Sequence, residues 1–259
     1  MMIGAPTKRF QVQSVVFDLF HTLVDPEVYR PEGFTRAYKI AEVLRLEDAD
    51  QFAQWWREME AQRHVNGSKK VAQYADEYLL KHTGRRCTQE ELAQVNQIWG
   101  QMHDLALLEP RYEVLSALRA LHDRGVKLGL LSNIDEREAV NWTRSPLSPL
   151  FDVACLSFDI GYSKPSKEAY SLVLSRLGAD ASSSIYVGDG GHDELMGARK
   201  AGFGLVLFMK GFISRDGAHS PETMKKREAD ADATIIDLNE LVVLVSQSNG
   251  SDQIGNDGV

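Results

Sequence analysis

Cysteine is scarce. Cys87 and Cys155 are the two in 259 residues. That is too few for a disulfide framework, and a reducing cytoplasmic setting is the expectation. Long apolar runs are also missing. Leu205–Met209 and Leu241–Val245 are among the longest, far short of the roughly 18 residues of a membrane-spanning helix. No membrane partner is expected. Met1–Gln13 carries Lys8 and Arg9 without an apolar stretch behind them, which argues against a secretory signal. Basic charge is not in excess, since 37 acidic residues face 29 basic ones and the net charge is −8. A nucleic-acid partner is therefore not expected, because phosphate backbones call for a basic field. An anionic small molecule stays open, because a few local cations override the average. Wholesale disorder is excluded by the 43% hydrophobic content.

What is present alternates. Ser14–Phe17 is a short β-branched apolar run that stops at Asp18. It reads as a buried strand ending in a loop. From Pro31 to Leu108 apolar residues recur at helical spacing, as in Phe34, Ala37, Tyr38, Ala41 and Leu44. Further helices are predicted near Asp50–Arg63, Lys69–Thr83 and Gln89–Leu107. After Pro110 strands and helices alternate. Helices are predicted at Tyr112–Arg124, Lys167–Leu177 and Asp193–Ala201, each followed closely by glycine, and a last one near Leu238. Strands are predicted at Lys127–Leu131, Val153–Ser157, Ile185–Val187, Leu205–Phe208 and Thr234–Ile236.

This order implies βαβ units and a parallel sheet. The expected fold is α/β, a Rossmann-like parallel sheet with an all-helical insertion. The expected divisions are 1–24 and 110–245 for the sheet unit, 25–109 for the insertion and 246–259 for a flexible Gly/Ser/Asn/Asp-rich tail.

Ligands of such sheets bind beyond the carboxyl ends of the strands. Four polar groups fall there: Asp18 with Thr22, Ser132-Asn133, Lys164-Pro165, and Asp189 with Asp193. Each alone reads more readily as a turn residue, a helix cap or a solvated lysine. Together at one sheet edge they make chemical sense. Asp18 suits a carboxylate nucleophile. Asp18, Asp189 and Asp193 suit Mg²⁺, which would screen a carboxylate attacking a phosphate. Ser132 and the backbone N–H groups beyond it suit phosphate oxygens, and Lys164 their charge.

These motifs resemble the haloacid dehalogenase superfamily of hydrolases. The matching residues are Phe17-Asp18-Leu19-Phe20-His21-Thr22-Leu23, Leu131-Ser132-Asn133, Lys164-Pro165, and Val187-Gly188-Asp189-Gly190-Gly191-His192-Asp193 through Ala201-Gly202. The resemblance implies a helical cap over the site and Asp18 as nucleophile. It implies a metal held by Asp18, the Phe20 carbonyl and Asp189, with Asp193 in support. Thr22, Ser132, Asn133 and Lys164 would cradle the phosphate. The partner is then a small phosphorylated molecule, with the chain a monomer or homodimer.

One position departs from that pattern. Phosphatases of the family carry a second Asp where this chain has Phe20, and its acid–base help is typically worth about 10²–10⁴-fold. Four readings follow. The enzyme uses substrates with good leaving groups, or His21 supplies the proton. In the third it cleaves carbon–halogen bonds, and a related case cleaves a phosphonate through a cap lysine (Lys39, Lys69, Lys70 or Lys81). In the fourth reading the fold binds a small molecule and has lost turnover. Asp189 counts against the dehalogenase, since an unneeded carboxylate beside Asp18 is repelled. Substrate choice is expected in the insertion, where Tyr29, Arg30, Arg36, Trp55, Trp56 and Arg57 are candidates.

Overall fold

A computed structural model describes residues 11–65, 67, 69–212 and 219–249. Six parallel strands form one sheet: β1 (Ser14–Phe17), β2 (Lys127–Ser132), β3 (Val153–Leu156), β4 (Ser184–Gly188), β5 (Leu205–Met209) and β6 (Ala233–Ile235), in the order β3-β2-β1-β4-β5-β6. β1 lies between β2 and β4, with Phe17 opposite both Leu130 and Val187. The chain winds outward from β1 in both directions, so β1 marks the topological switch point where such sheets open a crevice. Every residue of β1 is buried, as expected of a parallel strand covered on both faces. Val15 and Phe17 face one core and Val16 the other, following the period of two. The α/β architecture read from the sequence is the one observed.

Helices cover both faces. α6 (Tyr112–His122) and α11 (Leu238–Asn249) pack with the Phe17 side. α8 (Lys167–Leu177) and α9 (Glu194–Ala201) pack with the Val16 side. Ser166 caps α8 through its hydroxyl, and Gly178 ends it at φ 58°, the left-handed conformation that glycine adopts freely. A short α7 (Ser157–Ile160) follows β3, and α10 (Pro221–Asp230) precedes β6. Neither was evident from apolar periodicity. α10 buries no residue, so it has no apolar stripe to read.

Between β1 and β2 the chain is helical: α1 (Arg36–Val43), α2 (Ala49–Glu58), α3 (Glu60–Val65), α4 (Val71–Thr83) and α5 (Gln89–Leu108). Ile40, Leu44, Phe52, Trp56, Tyr78 and Val95 make a separate core. α5 joins the two regions. Its Val95 and Trp99 belong to the helical core, whereas Ala106 and Leu107 belong to the sheet core. The predicted helix over Asp50–Arg63 is split at Met59 into α2 and α3.

The predicted flexible tail begins too early. Residues 246–249 continue α11, and Asn249 exchanges hydrogen bonds with the Val12 backbone at 2.9 and 3.0 Å. Its remainder lies outside the described residues.

Candidate active site

The site begins at the C-terminal end of β1. The Asp18 amide donates to Val187 O across the β1–β4 pair (2.9 Å), which fixes the carboxylate at the switch point. Asp18 is 7% exposed. Its two oxygens have different partners. Thr22 Oγ1 donates to Oδ2 at 3.0 Å, and Lys164 Nζ donates to Oδ1 at 2.5 Å. Thr22, expected to hold phosphate, is fully buried and bonds the Asp18 carboxylate instead.

Lys164 is held from two sides. Its ammonium also donates to Glu194 Oε2 at 2.6 Å. Its backbone is gripped by Asn133, whose Nδ2 donates to Lys164 O (2.9 Å) and whose Oδ1 accepts from Lys164 N (2.7 Å). Asn133, also expected at the phosphate, therefore positions the Lys164 loop with its side chain. Burial alone would discharge the lysine, but the Asp18 and Glu194 carboxylates outweigh it and hold the ammonium charged. Ser132 is buried at the end of β2, beside the strand that carries Asp18.

The turn after β4 supplies the remaining carboxylates. Asp189 is nearly buried. Its Oδ1 accepts from Gly191 N at 2.9 Å, and Arg227 of α10 donates to its carbonyl (2.8 Å) and Oδ2 (3.2 Å). Burial, then the neighbouring Glu194 and Asp18 charges, push Asp189 up to about 7. The turn residues Gly190, His192 and Asp193 all take positive φ.

That backbone path corrects one expectation. It turns Asp193 outward, where its side chain is 67% exposed and pairs with Lys226 at 2.6 Å. The next residue, Glu194, turns inward. Its Oε1 accepts from Gly190 N (2.9 Å), and its Oε2 accepts from Tyr186 OH (2.7 Å) as well as from Lys164. A Cβ on Gly188 would stand 2.2 Å from Glu194 Oε1, so glycine at the end of β4 is what lets that carboxylate in. Asp18, Asp189 and Glu194 place their oxygens within 4.8 Å of one another. A sequence reading could have found Glu194 by weighing both acids in the Asp193-Glu194 pair. Arg227 had no local signal.

These donors fit a hard divalent cation. They are carboxylate oxygens, the ligand type Mg²⁺ prefers, and three carboxylates face two cations, Lys164 and Arg227. Glu194 accepts from three protein donors against two each for Asp18 and Asp189, which leaves the latter two as the better ligands. Among the described residues no backbone N–H donates to the Phe20 carbonyl, so the third expected ligand has a free acceptor.

Phe20 and His21 sit just beyond Asp18. The Phe20 ring packs edge-on to His103 of α5, with centroids 4.6 Å apart. His21 has φ 59° and a half-buried imidazole whose Nδ1 lies 3.4 Å from Asp25 Oδ1. Burial alone would lower its pKa, but the Asp25 hydrogen bond and the Asp189 charge outweigh that and raise it.

The insertion residues mostly serve packing. Trp56 is buried against Phe52 and Trp99, and Trp55 leans on Tyr78. Tyr29 reaches Glu109, Arg30 pairs with Glu27, and Arg57 is exposed. Arg36 donates to His103 Nδ1 (3.2 Å) and Glu138 (3.2 Å) above the site. Of the 211–220 loop, residues 213–218, including Arg215, lie outside the described residues. A cleft of about 460 Å³ lined by Val114, Met209, Phe212 and Leu238 sits at the β5–β6 side and includes none of the four motifs.

Known proteins agree with this architecture. Over 90% of this chain and 99% of the relative, it is 28% identical to ribulose-1,5-bisphosphate 5-phosphatase of Halopiger xanaduensis. It is 35% identical to pyrophosphatase PpaX of Bacillus pumilus over 50% of this chain, a match that spans 61% of that protein. Among solved structures, a haloacid dehalogenase-type phosphatase from Thermococcus onnurineus superposes with TM-score 0.57 at 20% identity, covering 90% of this chain and 98% of that one. The L-2-haloacid dehalogenase of Xanthobacter autotrophicus does so with TM-score 0.53 at 20% identity, covering 91% and 98%. The fold is thus shared by both chemistries. The description "haloacid dehalogenase-like hydrolase" matches residues 12–202, and the chain belongs to that family of hydrolases.

Proposed function

We propose that this hydrolase is a Mg²⁺-dependent phosphatase that moves a phosphoryl group from a small phosphorylated metabolite to Asp18 and then to water. The observation that carries this reading is the convergence of Asp18, Asp189 and Glu194, with Lys164 bonded to the first and last. Attack on carbon has no use for that much buried negative charge, whereas phosphoryl transfer does once a cation joins it. The phosphatase names of the relatives at 28% and 35% identity point the same way.

Each residue has a part. Thr22 and Lys164 fix the two Asp18 oxygens, so the attacking carboxylate is aimed before substrate arrives. Lys164 also faces the phosphate oxygens, with Ser132 and the amides after β2 beside it. Glu194 anchors Lys164 and does not itself react. Asp18, Asp189 and the Phe20 carbonyl would hold Mg²⁺, which when bound supplies positive charge against the three carboxylates and the incoming phosphate. His21, oriented by Asp25, is the candidate proton donor to the leaving oxygen. Phe20 packs against His103 and puts an apolar ring where the family's second Asp would stand.

Phe20 is also what favours a second reading, dehalogenation, since an apolar residue replaces the expected acid. A panel of phosphate esters, acyl phosphates and 2-haloacids separates the two. Phosphate release that needs Mg²⁺ and vanishes in Asp18→Asn is the expected result. Halide release that survives a chelator would establish the dehalogenase instead.

A further inference from the structure

A second cluster of metal-ligating side chains lies at the seam between insertion and sheet. Glu60 and His64 are one turn apart on α3 and share a face. His192 comes from the turn between β4 and α9. One ligating atom from each lies within 4.8 Å of the others. His192 Nε2 is 3.5 Å from Glu60 Oε1, and the His64 and His192 rings stand 6.1 Å apart at 71°.

The Glu60–His192 pair alone is half exposed, and such pairs add little to stability. It does not account for His64. That residue is 7% exposed, and among the described residues no hydrogen bond reaches its imidazole. Its ring nitrogens are not among the sealed, unpartnered polar atoms, so an ion can reach them. Here the ring is aimed at the other two ligands. Burial lowers its pKa despite the nearby Glu138 and Glu60 charges, and so keeps it neutral, the form that ligates.

We propose that Glu60, His64 and His192 bind one divalent transition-metal ion of the zinc class and so clamp the helical insertion to the sheet at the mouth of the Asp18 site. Two imidazoles and one carboxylate suit Zn²⁺, Co²⁺ or Ni²⁺ and leave a position for water. They do not suit Mg²⁺, which prefers oxygen ligands. The ion would tie α3 to the turn that carries Asp189 and Glu194, and so resist opening of the insertion. The inference holds whichever reaction Asp18 performs.

Co²⁺ and Zn²⁺ binding to the full chain in excess Mg²⁺ tests it, by visible absorption for Co²⁺ and equilibrium dialysis for Zn²⁺. The expected result is one ion per chain, retained in Asp189→Asn. Binding should weaken by at least about tenfold in His192→Ala and Glu60→Gln, and be lost in His64→Ala. His192 is half exposed, so its variant reports without a folding penalty. Zn²⁺ should also slow amide hydrogen exchange across α3 in the wild type but not in His192→Ala. Absence of a bound ion overturns the proposal. So does an ion that survives His192→Ala and disappears in Asp189→Asn, because that one sits in the acidic cluster.

Discussion

The Asp18 cluster can be compared with the charge cluster around Glu138, a short distance away in the seam. Both bury ionisable groups, but they are organised differently. At Asp18 three carboxylates face Lys164 and Arg227, so negative charge remains in excess. At Glu138 each carboxylate has an arginine beside it, although burial, then the Glu138 charge, raise Asp135 well above its ordinary range. Glu138 pairs with Arg36 (3.2 Å), and Asp135 lies 3.8 Å from Arg63. Trp99 Nε1 and the amides of Arg137 and Glu138 also donate to Asp135. Burial depresses His103 to about 4, although Glu138 beside it pulls the other way, so the ring stays neutral. A paired cluster holds two regions together. An unbalanced one is poised for a cation and an anionic substrate, and it costs stability to maintain.

The largest expected effect comes at Asp18, the proposed nucleophile. Asp18→Asn should lower turnover by at least about 10⁴-fold. It should not lower the melting temperature, because it deletes one charge from a cluster with too many. A steady-state assay and a thermal melt on the same preparation check both halves. A variant that is inactive only because it unfolds would break the comparison.

Glu138→Ala should do the reverse. It leaves Arg36 without its carboxylate partner in a largely buried seam, and the expected loss is about 3 kcal/mol in a urea melt. Equal stability to the wild type would mean that the seam cluster holds nothing.

The sequence disclosed the chemistry of the first cluster far better than that of the second. Asp18, Lys164 and Asp189 each follow a readable strand or loop signal, and parallel topology puts strand ends together. Glu194 was missed because the choice between it and Asp193 depends on a positive-φ turn, which side-chain type does not reveal. Thr22 and Asn133 stand at strand ends, where polar type alone suggests the phosphate. Their hydrogen bonds to Asp18 and Lys164 exist only after three loops meet. Nothing in the order of residues brings Arg36, Arg63, Asp135 and Glu138 together. Their partners lie across the seam, and the periodicity of α1, α3 and α5 reports only which face is apolar.

Acid should act on the seam with a definite sign. His103 titrates near 4 in the fold against an ordinary value of 6.5. Between those values the unfolded chain binds the proton and the folded one does not. Stability is therefore present above pH 6.5 and lost as pH falls toward 4, by about 3 kcal/mol in all. His64, also lowered by burial, adds to the same slope. Asp189, raised to about 7, opposes it. Comparing wild type with His103→Gln cancels the other groups. Urea melts at pH 7 and 4.5 should show the variant losing less than the wild type. Identical losses would remove His103 from the account.

The smallest expected effect concerns Phe20 and His21, where the two clusters meet. If His21 supplies the proton that the family's second Asp would have given, its loss should matter only when the leaving group needs protonation. His21→Ala should then cut kcat for alkyl phosphate esters by about 10²-fold, while acyl phosphates lose less than about threefold. The pH profile should change with it. Asp25 and Asp189 outweigh the effect of burial and keep His21 protonated above its ordinary range. The wild-type rate on alkyl esters should therefore fall on an alkaline limb that the variant lacks. Equal losses on both substrate types, with the limb intact, would reduce His21 to a turn residue held by Asp25. The enzyme would then depend on leaving groups that depart without help.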